Sequence, residues 1–326
     1  MTSENVLLRA NGIKMYFKGK NHSIIKANDD ISLCIYEGEV LGIVGESGCG
    51  KSTFGRTLLC LYQATEGEII YYPKECKQGI QLTKRKESEL RKLRRELQMV
   101  FQDPYSSLDP RMSVGKSIEE GVKTHHMFDR KKERVAYVKE VMKQCGLDET
   151  MYFRYPREFS GGQRQRISIA RSIALKPKFL VCDEAVSALD VSIQSQIINL
   201  LLDLKEKENM TYLFISHDLS VVRYISDRIG VMYLGHLVEL APTEELFEQP
   251  MHPYTKTLFD SIPKMEGSNE IISLTGEIPN PANPPKGCPF HTRCPYAKEI
   301  CKTIRPELMQ KKASHQVACH YPFLCL

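Results

Sequence analysis

The sequence contains no apolar run that approaches the ~20 residues a membrane-spanning helix needs. Its first residues, MTSENVLLRANGIK, lack the basic-then-apolar pattern of a secretory signal peptide. The charge balance is also slight, because 45 Lys and Arg against 40 Asp and Glu leave a net charge of +5. Such a balance suits an anionic ligand or a membrane surface without requiring nucleic acid. These absences predict a soluble, cytoplasmic protein.

The chain is long enough for about two domains at roughly 150 residues each, and 42% hydrophobic residues supply their cores. Short apolar runs alternate with helical patterns up to about residue 240, which predicts an α/β fold with a mainly parallel sheet and an antiparallel β part. Residues from about 103 to 175 are helical in pattern almost throughout, which predicts an inserted helical subdomain. The apolar runs are residues 40–44, 97–101, 179–182, 212–215 and 228–234.

The C-terminal part has a different composition. Residues 263–289 hold six prolines and three glycines, too many breakers for a packed element. We therefore expect a first domain at residues 1–262, followed by a proline-rich linker and a cysteine-rich arm at residues 263–326. The basic stretch at residues 84–96 has no interleaved aromatic residues, so we interpret it as a solvated helix face rather than a nucleic-acid site.

Residues 45–52, GESGCGKS, follow the apolar run 40–44 and precede a helical pattern. Strand, glycine-rich loop and helix together predict a phosphate-binding P-loop, because glycines let backbone N–H groups converge on phosphate oxygens. Lys51 would reach the β- and γ-phosphates of ATP, and the Ser52 hydroxyl would coordinate Mg²⁺. We also expect the Cys49 thiol to be open to alkylation when ATP is absent. The predicted nucleotide contacts here are Gly45, Glu46, Ser47, Gly48, Cys49, Gly50, Lys51, Ser52 and Thr53.

A second motif, FLVCDE at residues 179–184, is an apolar run that ends in two carboxylates. Ligands of doubly wound sheets bind at the carboxyl ends of the strands, so we expect Asp183 beside the P-loop, where it can hold Mg²⁺ through water. Glu184 points elsewhere and can act as the general base for water that attacks the γ-phosphate.

A third group of motifs carries a family resemblance. The chain has FSGGQRQR at residues 159–166, SALD at residues 187–190 and His217 in LFISHD, and it resembles the nucleotide-binding subunit of an ABC transporter, in which SGGQ is the defining signature. The resemblance implies that Gln102 senses the γ-phosphate, contributes to the Mg²⁺ site and faces the membrane partner. It also implies that Asp190 belongs to the loop crossing the dimer and that His217 is the switch histidine.

The signature would form half of a shared site. A helix N-terminus after Ser160 can bind an anion, and in the family this segment faces the γ-phosphate of ATP held by the partner's P-loop. The resemblance therefore implies a head-to-tail dimer with two ATP molecules between its subunits, each signature contributing Ser160, Gly161, Gly162 and Gln163. Upstream, Tyr16 fits the aromatic residue that stacks on adenine, with Phe17 as the alternative.

A narrower resemblance is to the ATPase subunits of oligopeptide and dipeptide importers, a group that also contains nickel importers. The resemblance is carried by residues 100–111, 155–173 and 252–263. The signature sequence SGGQRQR favours the second, F-type, ATPase of a heterodimer. Ala185 departs from the group, which usually has proline there. The resemblance implies a second ATPase subunit, two membrane permease subunits, a substrate-binding protein outside the cell and a peripheral place on the cytoplasmic membrane face, with no nucleic acid.

Two alternatives to peptide import stay open. The same ATPase could serve nickel or another solute, since the solute never touches this subunit. A non-transport ABC ATPase is the other alternative. DNA-repair members of this class separate the P-loop from the signature by a long coiled coil, whereas Ser52 and Ser160 are close in this sequence. Translation members fuse two cassettes in one chain, whereas this chain has one. Both comparisons disfavour this alternative.

Five of the 11 cysteines crowd into the C-terminal tail. Four of them are separated by gaps unlike those of structural zinc sites, and related importer subunits carry a 4Fe-4S cluster in this arm. Zinc, with His291, His315 or His320 substituting, and metal-free thiols are the alternatives. Because the tail lies far in sequence from Lys51, we expect a metal there to stabilise the arm and assign it no role in hydrolysis. The predicted ligands are Cys288, Cys294, Cys301 and Cys319, with Cys325 surplus.

Overall fold

The computed structural model of the chain describes residues 5–19, 23–260, 277, 279–312 and 314–323. The chain divides into two compact units. The first combines Met1–Lys84 with Ser216–Leu326, and the second is Arg85–Ile215. The chain thus leaves the first unit once and returns to it, so the P-loop and the cysteine-rich arm belong to one unit although they lie at opposite ends of the sequence.

The first unit is built around two groups of strands. An antiparallel sheet has the order β2-β1-β4-β5, and a second group has the order β11-β12-β10-β9-β3, in which only the β3–β9 pair is parallel. Its elements are β1 (Val6–Lys18), β2 (Ile24–Tyr36), β3 (Val40–Val44), α1 (Lys51–Leu58), β4 (Glu66–Tyr71), β5 (Ile80–Gln81), α7 (Leu219–Ile225), β9 (Arg228–Tyr233), β10 (His236–Pro242), α8 (Thr243–Glu248), α9 (Pro253–Asp260), α10 (Glu299–Thr303), β11 (Met309–Lys312) and β12 (His315–Val317).

The second unit contains a parallel group of strands in the order β8-β7-β6. All residues of β7 and β8 are buried, as expected for parallel strands covered on both faces. Between β6 and β7 the regular elements are helices. The elements of this unit are α2 (Glu87–Leu93), β6 (Leu97–Val100), α3 (Val114–Thr124), α4 (Lys131–Gln144), α5 (Gly161–Ile173), β7 (Phe179–Asp183), α6 (Val191–Glu208) and β8 (Thr211–Ile215).

The predicted strands at the five apolar runs are confirmed as β3, β6, β7, β8 and β9. The basic stretch 84–96 contains α2, none of whose residues is buried. Two of its basic side chains are paired locally, Arg85 with Glu89 at 2.8 Å and Arg94 with Glu87. The prediction of a solvated helix is therefore confirmed.

The arm joins the rest of the first unit through β12, which pairs antiparallel with β10. The side chain of His315 is fully buried between two carboxylates, with Nε2 2.7 Å from Glu239 and Nδ1 3.1 Å from Glu245. These hydrogen bonds outweigh desolvation and raise the pKa of His315 above its ordinary value. The hydrogen bonds of His315 to Glu239 on β10 and Glu245 on α8 thus fix the edge of the arm.

Among the described residues, no helix is both long and apolar enough to cross a lipid bilayer. Much of the predicted proline-rich linker, residues 261–276 and 278, lies outside the described residues, as does Cys325.

Candidate functional site

The predicted P-loop runs from the end of β3 to the start of α1 in the first unit. Two of its glycines cannot be replaced without strain. Gly45 has φ +148° and a Cβ there would lie 2.2 Å from the Met232 carbonyl oxygen; Gly50 has φ +103° and a Cβ would lie 2.1 Å from the Ala27 oxygen. The loop is therefore pressed against neighbouring backbone, which only glycine permits.

The Lys51 side chain, 4% exposed, folds back over this loop. Its Nζ donates to the carbonyl oxygens of Gly45 at 2.8 Å and Glu46 at 3.0 Å. The ammonium group is thus held at the mouth of the loop by two neutral acceptors, which a phosphate can replace with stronger charge-assisted bonds. Ser52 and Thr53 follow in the first turn of α1, while Ser47 and Gly48 are exposed at the tip of the loop.

The expectation that the Cys49 thiol is open to alkylation is wrong. Cys49 is only 4% exposed, and burial raises the pKa of its thiol above the ordinary value. The loop turns this side chain inward, where it lies beside the Lys51 ammonium. A protonated, covered thiol reacts slowly with alkylating reagents.

Tyr16 lies on β1, in the same unit as the P-loop. Its hydroxyl donates to Asp29 Oδ1 at 2.5 Å, and Lys26 Nζ lies 5.4 Å from the ring centroid. Its alternative, Phe17, packs edge-on against Tyr62 at 5.5 Å between centroids. Phe17 is thus engaged in an aromatic pair, while a hydrogen bond fixes the orientation of the Tyr16 ring.

The carboxylates of the second motif lie at the end of β7 in the second unit. Asp183 is fully buried as the last residue of the strand. The next residue, Glu184, has left-handed backbone with φ +48°, a conformation that costs about 1 kcal/mol or more for a residue other than glycine. Its N–H donates to the Ile215 oxygen at 2.9 Å, which holds this turn in place.

Gln102 lies just after β6 and contacts Glu184 directly. Its Nε2 donates to Glu184 Oε2 at 2.8 Å. An amide has a donor end and an acceptor end, so this bond leaves the Gln102 carbonyl oxygen for a cation. Gln102 and Glu184, which belong to separate sequence motifs, are therefore in contact within the second unit.

The signature begins α5. Ser160 is the N-cap, its Oγ accepting from the Gln163 N–H at 3.3 Å, while Gln163 Oε1 accepts from the Ser160 N–H at 3.0 Å. This reciprocal capping box satisfies two N–H groups and orders the helix terminus. Gly161 and Gly162 form the first turn.

The two remaining predicted residues also lie at loop–helix junctions. Asp190 is the N-cap of α6, its Oδ1 accepting from the Ile193 N–H at 3.0 Å. His217 is exposed and follows β8, at the point where the chain returns to the first unit. Among the predicted residues, the first unit therefore holds Tyr16, the P-loop and His217, and the second holds Gln102, Asp183, Glu184, Asp190 and the signature.

The four cysteines predicted as ligands line one small cavity of about 20 Å³ within the first unit. Burial raises the pKa of Cys288 to about 11 and of Cys319 to about 12, and the neighbouring thiols add like-charge repulsion. His291 and His320 also line the cavity. His315 does not, because Glu239 and Glu245 hold it elsewhere.

The described residues contain no group of three or more His, Cys, Asp or Glu side chains placed to hold a metal ion. A single zinc ion therefore has no ready site in the described part of the arm. An iron–sulfur cluster spreads its thiolate ligands more widely, since iron and sulfide atoms lie between them. The described part of the arm thus places four cysteines on one small cavity without a group arranged to hold a metal ion.

Sequence reasoning missed two residues that contact the P-loop and a third that contacts one of them. Arg293 from the arm pairs with Glu46, Tyr254 accepts a hydrogen bond from the Glu46 N–H at 2.9 Å, and Tyr233 contacts Arg293. Tyr254 lies in the segment 252–263 that carries the family resemblance, which was a usable signal. Arg293 has no local signal, because its partner is 247 residues away.

Comparison with known proteins agrees with these features. The family model described as "ABC transporter" matches residues 28–187, and the model described as "Oligopeptide/dipeptide transporter, C-terminal region" matches residues 238–301. In the solved structures, the dimeric post-hydrolysis state of the ATP-binding cassette MJ0796 bound to ADP and Pi is similar with a TM-score of 0.65. It is 30% identical and covers 73% of this chain and 99% of its own, which confirms the predicted ABC ATPase fold with mixed sheets.

Relatives of the full length are also found. The oligopeptide transport ATP-binding protein AppF of Bacillus subtilis is 51% identical, covering 98% of this chain and 99% of AppF. The oligopeptide transport ATP-binding protein OppF of Escherichia coli is 45% identical, covering 96% of each chain. The chain therefore belongs to the ATP-binding proteins of the ABC transporter family, in the oligopeptide and dipeptide transporter group.

Proposed function

We propose that the chain is the ATP-hydrolysing subunit that drives import of oligopeptides or dipeptides through an ABC transporter. The observation that carries the proposal is a P-loop whose buried lysine donates to the neutral carbonyl oxygens of Gly45 and Glu46, in a chain whose full-length relatives are peptide transport ATP-binding proteins. Nickel or another solute is the second candidate, because the solute is chosen by other subunits.

ATP binding would begin at the P-loop. The Lys51 ammonium would exchange the carbonyl oxygens of Gly45 and Glu46 for the β- and γ-phosphates, and backbone N–H groups at the start of α1 would bind the phosphate oxygens. The Tyr16 ring would stack on adenine, its orientation fixed by Asp29. The signature residues of a second ATPase subunit would close the site from the other side.

Magnesium would be held by the Ser52 hydroxyl, the Gln102 carbonyl oxygen and Asp183. These are hard oxygen donors of the kind that Mg²⁺ prefers, and the Gln102 oxygen stays available while its Nε2 is bound to Glu184. The ion would neutralise charge on the β- and γ-phosphate oxygens.

Hydrolysis would use Glu184 as the base. Its carboxylate oxygen would take a proton from water as the water oxygen bonds to the γ-phosphorus and the bond from that phosphorus to the ADP oxygen breaks, and His217 would stabilise the reacting phosphate. Gln102 orients the Glu184 carboxylate through its hydrogen bond at 2.8 Å. Because the same glutamine would contact the Mg²⁺ site, a shift of its loop can couple the state of the nucleotide to the membrane partner.

The assembly would contain a second ATPase subunit, two permease subunits in the membrane and a substrate-binding protein outside. The described part of this chain has no membrane-crossing helix, so we place it at the cytoplasmic face as a peripheral subunit. Purification of the complex from its own membrane, followed by identification of the molecule on the substrate-binding protein, tests the solute. A bound peptide supports the proposal, whereas bound nickel supports the second candidate.

We propose further that the four arm cysteines hold a 4Fe-4S cluster. Four cysteines on one cavity, in a chain with no disulfide among its described residues, are its structural support. The raised thiol pKa values mean that loading the site must displace protons, as metal binding to thiols does. The cluster would fix the arm, and we assign it no role in hydrolysis.

Anaerobic purification should yield brown protein with iron and acid-labile sulfide. Replacing Cys294 by serine is expected to remove the iron and make the arm protease-sensitive with ATP binding retained. The matched control is Cys76→Ser, which changes a cysteine outside the arm and should keep the iron. Stoichiometric zinc without iron would exclude the cluster, and a metal-free arm that resists protease would exclude both metals.

A further inference from the structure

An ion pair joins the arm to the P-loop. Arg293 Nη1 donates to Glu46 Oε2 at 2.9 Å and Nη2 donates to Oε1 at 3.1 Å, which is the bidentate geometry of a strong Arg–carboxylate pair. The side chain of Arg293 is 4% exposed and that of Glu46 is 18% exposed. The pair is therefore shielded from the solvent that makes surface ion pairs weak.

Glu46 is held at every polar group it has. Its N–H donates to the Tyr254 hydroxyl at 2.9 Å, its carbonyl oxygen accepts from Lys51 Nζ at 3.0 Å, and its carboxylate accepts from Arg293. The carbonyl bond is one that a bound phosphate would displace. The other two bonds come from outside the loop, so they can keep the Glu46 peptide in place when Lys51 turns to a nucleotide.

An aromatic cluster supports the two outside bonds. Tyr233, Tyr254 and Phe290 pack with ring centroids 4.7 to 5.4 Å apart, and the Tyr233 hydroxyl accepts from Arg293 Nη1 at 3.3 Å. Phe290 belongs to the arm, and its carbonyl oxygen accepts from the Arg293 N–H at 3.0 Å. The guanidinium therefore reaches the P-loop from a rigid base rather than from a free loop.

We propose that Arg293 is a positioning residue through which the C-terminal arm holds the P-loop in its nucleotide-receiving geometry. This inference rests on the proposed ATPase function and adds a residue from outside the nucleotide-binding motifs. Loss of the guanidinium leaves the Glu46 carboxylate without its cation in a mostly covered position, so the loop must shift to hydrate it. A shift at Glu46 moves the Gly45 and Glu46 peptides, which frame the site of the phosphates.

The arm's cysteine cavity adjoins this contact. Phe290 lines that cavity, and Cys294 is the residue that follows Arg293. Anything that displaces the segment between Cys288 and Cys294 would therefore displace the guanidinium as well. The arm thus has a direct path to the nucleotide site, within a single unit of the protein.

The test compares Arg293→Met with wild type in the purified transporter complex. We expect the Kd for a fluorescent ATP analogue and the KM for ATP to rise about 10-fold or more, with kcat changed by less than about twofold, because a displaced loop misplaces the phosphates before it affects the chemistry. Arg293→Lys should recover part of the affinity, since an ammonium group can make one of the two bonds. Lys302→Ala is the matched control, as that arm cation is paired with Glu299 at 2.6 Å and should leave KM unchanged.

A double variant tests whether Arg293 acts on the P-loop through Glu46. If Arg293 acts through Glu46, then the double variant Arg293→Met with Glu46→Gln should raise KM no further than the larger single variant does. If the two residues act independently, the fold-increases in KM of the two single variants should multiply. Wild-type affinity in a folded Arg293→Met protein, or multiplicative effects in the double variant, would overturn the inference. Neither result touches the proposed function, which instead fails if the wild-type complex itself neither binds nor hydrolyses ATP.

Discussion

Replacing Glu184 by glutamine is expected to lower ATP turnover by roughly 10²–10⁴-fold while ATP binding persists. The change keeps the size and polarity of the side chain but removes its ability to accept a proton from the attacking water. It also keeps the strained backbone at φ +48° and a side-chain partner for Gln102, so the local structure should survive. Single-turnover hydrolysis and nucleotide binding, measured on the same preparation, separate the two effects.

Two variants serve as comparisons. Lys51→Ala should weaken nucleotide binding itself, because the buried ammonium is the cation within the loop. Glu206→Gln removes the same charge from an exposed position on α6 and should leave turnover unchanged. Near-wild-type turnover in the Glu184→Gln protein would show that another group acts as the base.

Replacing Gly161 by aspartate is expected to abolish turnover of the complex without lowering ATP binding to the same chain's P-loop. A carboxylate at this helix terminus would face a γ-phosphate bound to the partner subunit, and the two like charges would repel each other. The structure has room for a side chain at this position, so the substitution tests the added charge and not a steric clash. A Cβ at Gly161 would meet only Leu189 Cδ2 at 3.7 Å, an ordinary contact.

Gly161→Ala is the control, since it adds the same Cβ without charge and should retain most of the activity. Gly162 is unsuitable for this purpose because a Cβ there would lie 2.5 Å from Ile193 Cγ2, so folding and function would be confounded. Turnover should be measured against protein concentration. Full activity in the isolated monomer, without concentration dependence, would contradict a shared site.

Much of the candidate site could be predicted because its chemistry is local. A P-loop is a strand, a turn and a helix start in continuous sequence, and the capping box of Ser160 and Gln163 spans only one helical turn. Buried parallel strands leave continuous apolar runs, which made β7 and β8 recognisable. Glu184 and Gln102 were both predicted as site residues, but their hydrogen bond was not, since it joins residues 82 positions apart.

The cysteines show which structural features composition and sequence position can predict and which they cannot. Their crowding in the tail predicted a common site, and the structure lines one cavity with four of them. The same reasoning predicted an exposed Cys49 thiol, but the loop buries it. It also proposed His315 as a metal ligand, but Glu239 and Glu245 bind this side chain away from the cysteine cavity. Whether a side chain is buried depends on residues distant in sequence, so a local sequence pattern does not predict it.

The sequence by itself determined the P-loop, the signature helix, the carboxylate pair and the family, because each is a short-range arrangement of residue types with its own backbone requirement. Only the tertiary structure decided what surrounds them. Distance along the chain suggested that the arm is remote from the nucleotide site, yet Arg293 lies 247 residues from Glu46 and forms a bidentate pair with it. The physical reason is that a buried charge must find its partner wherever the packed chain brings one, and packing is a property of the whole unit.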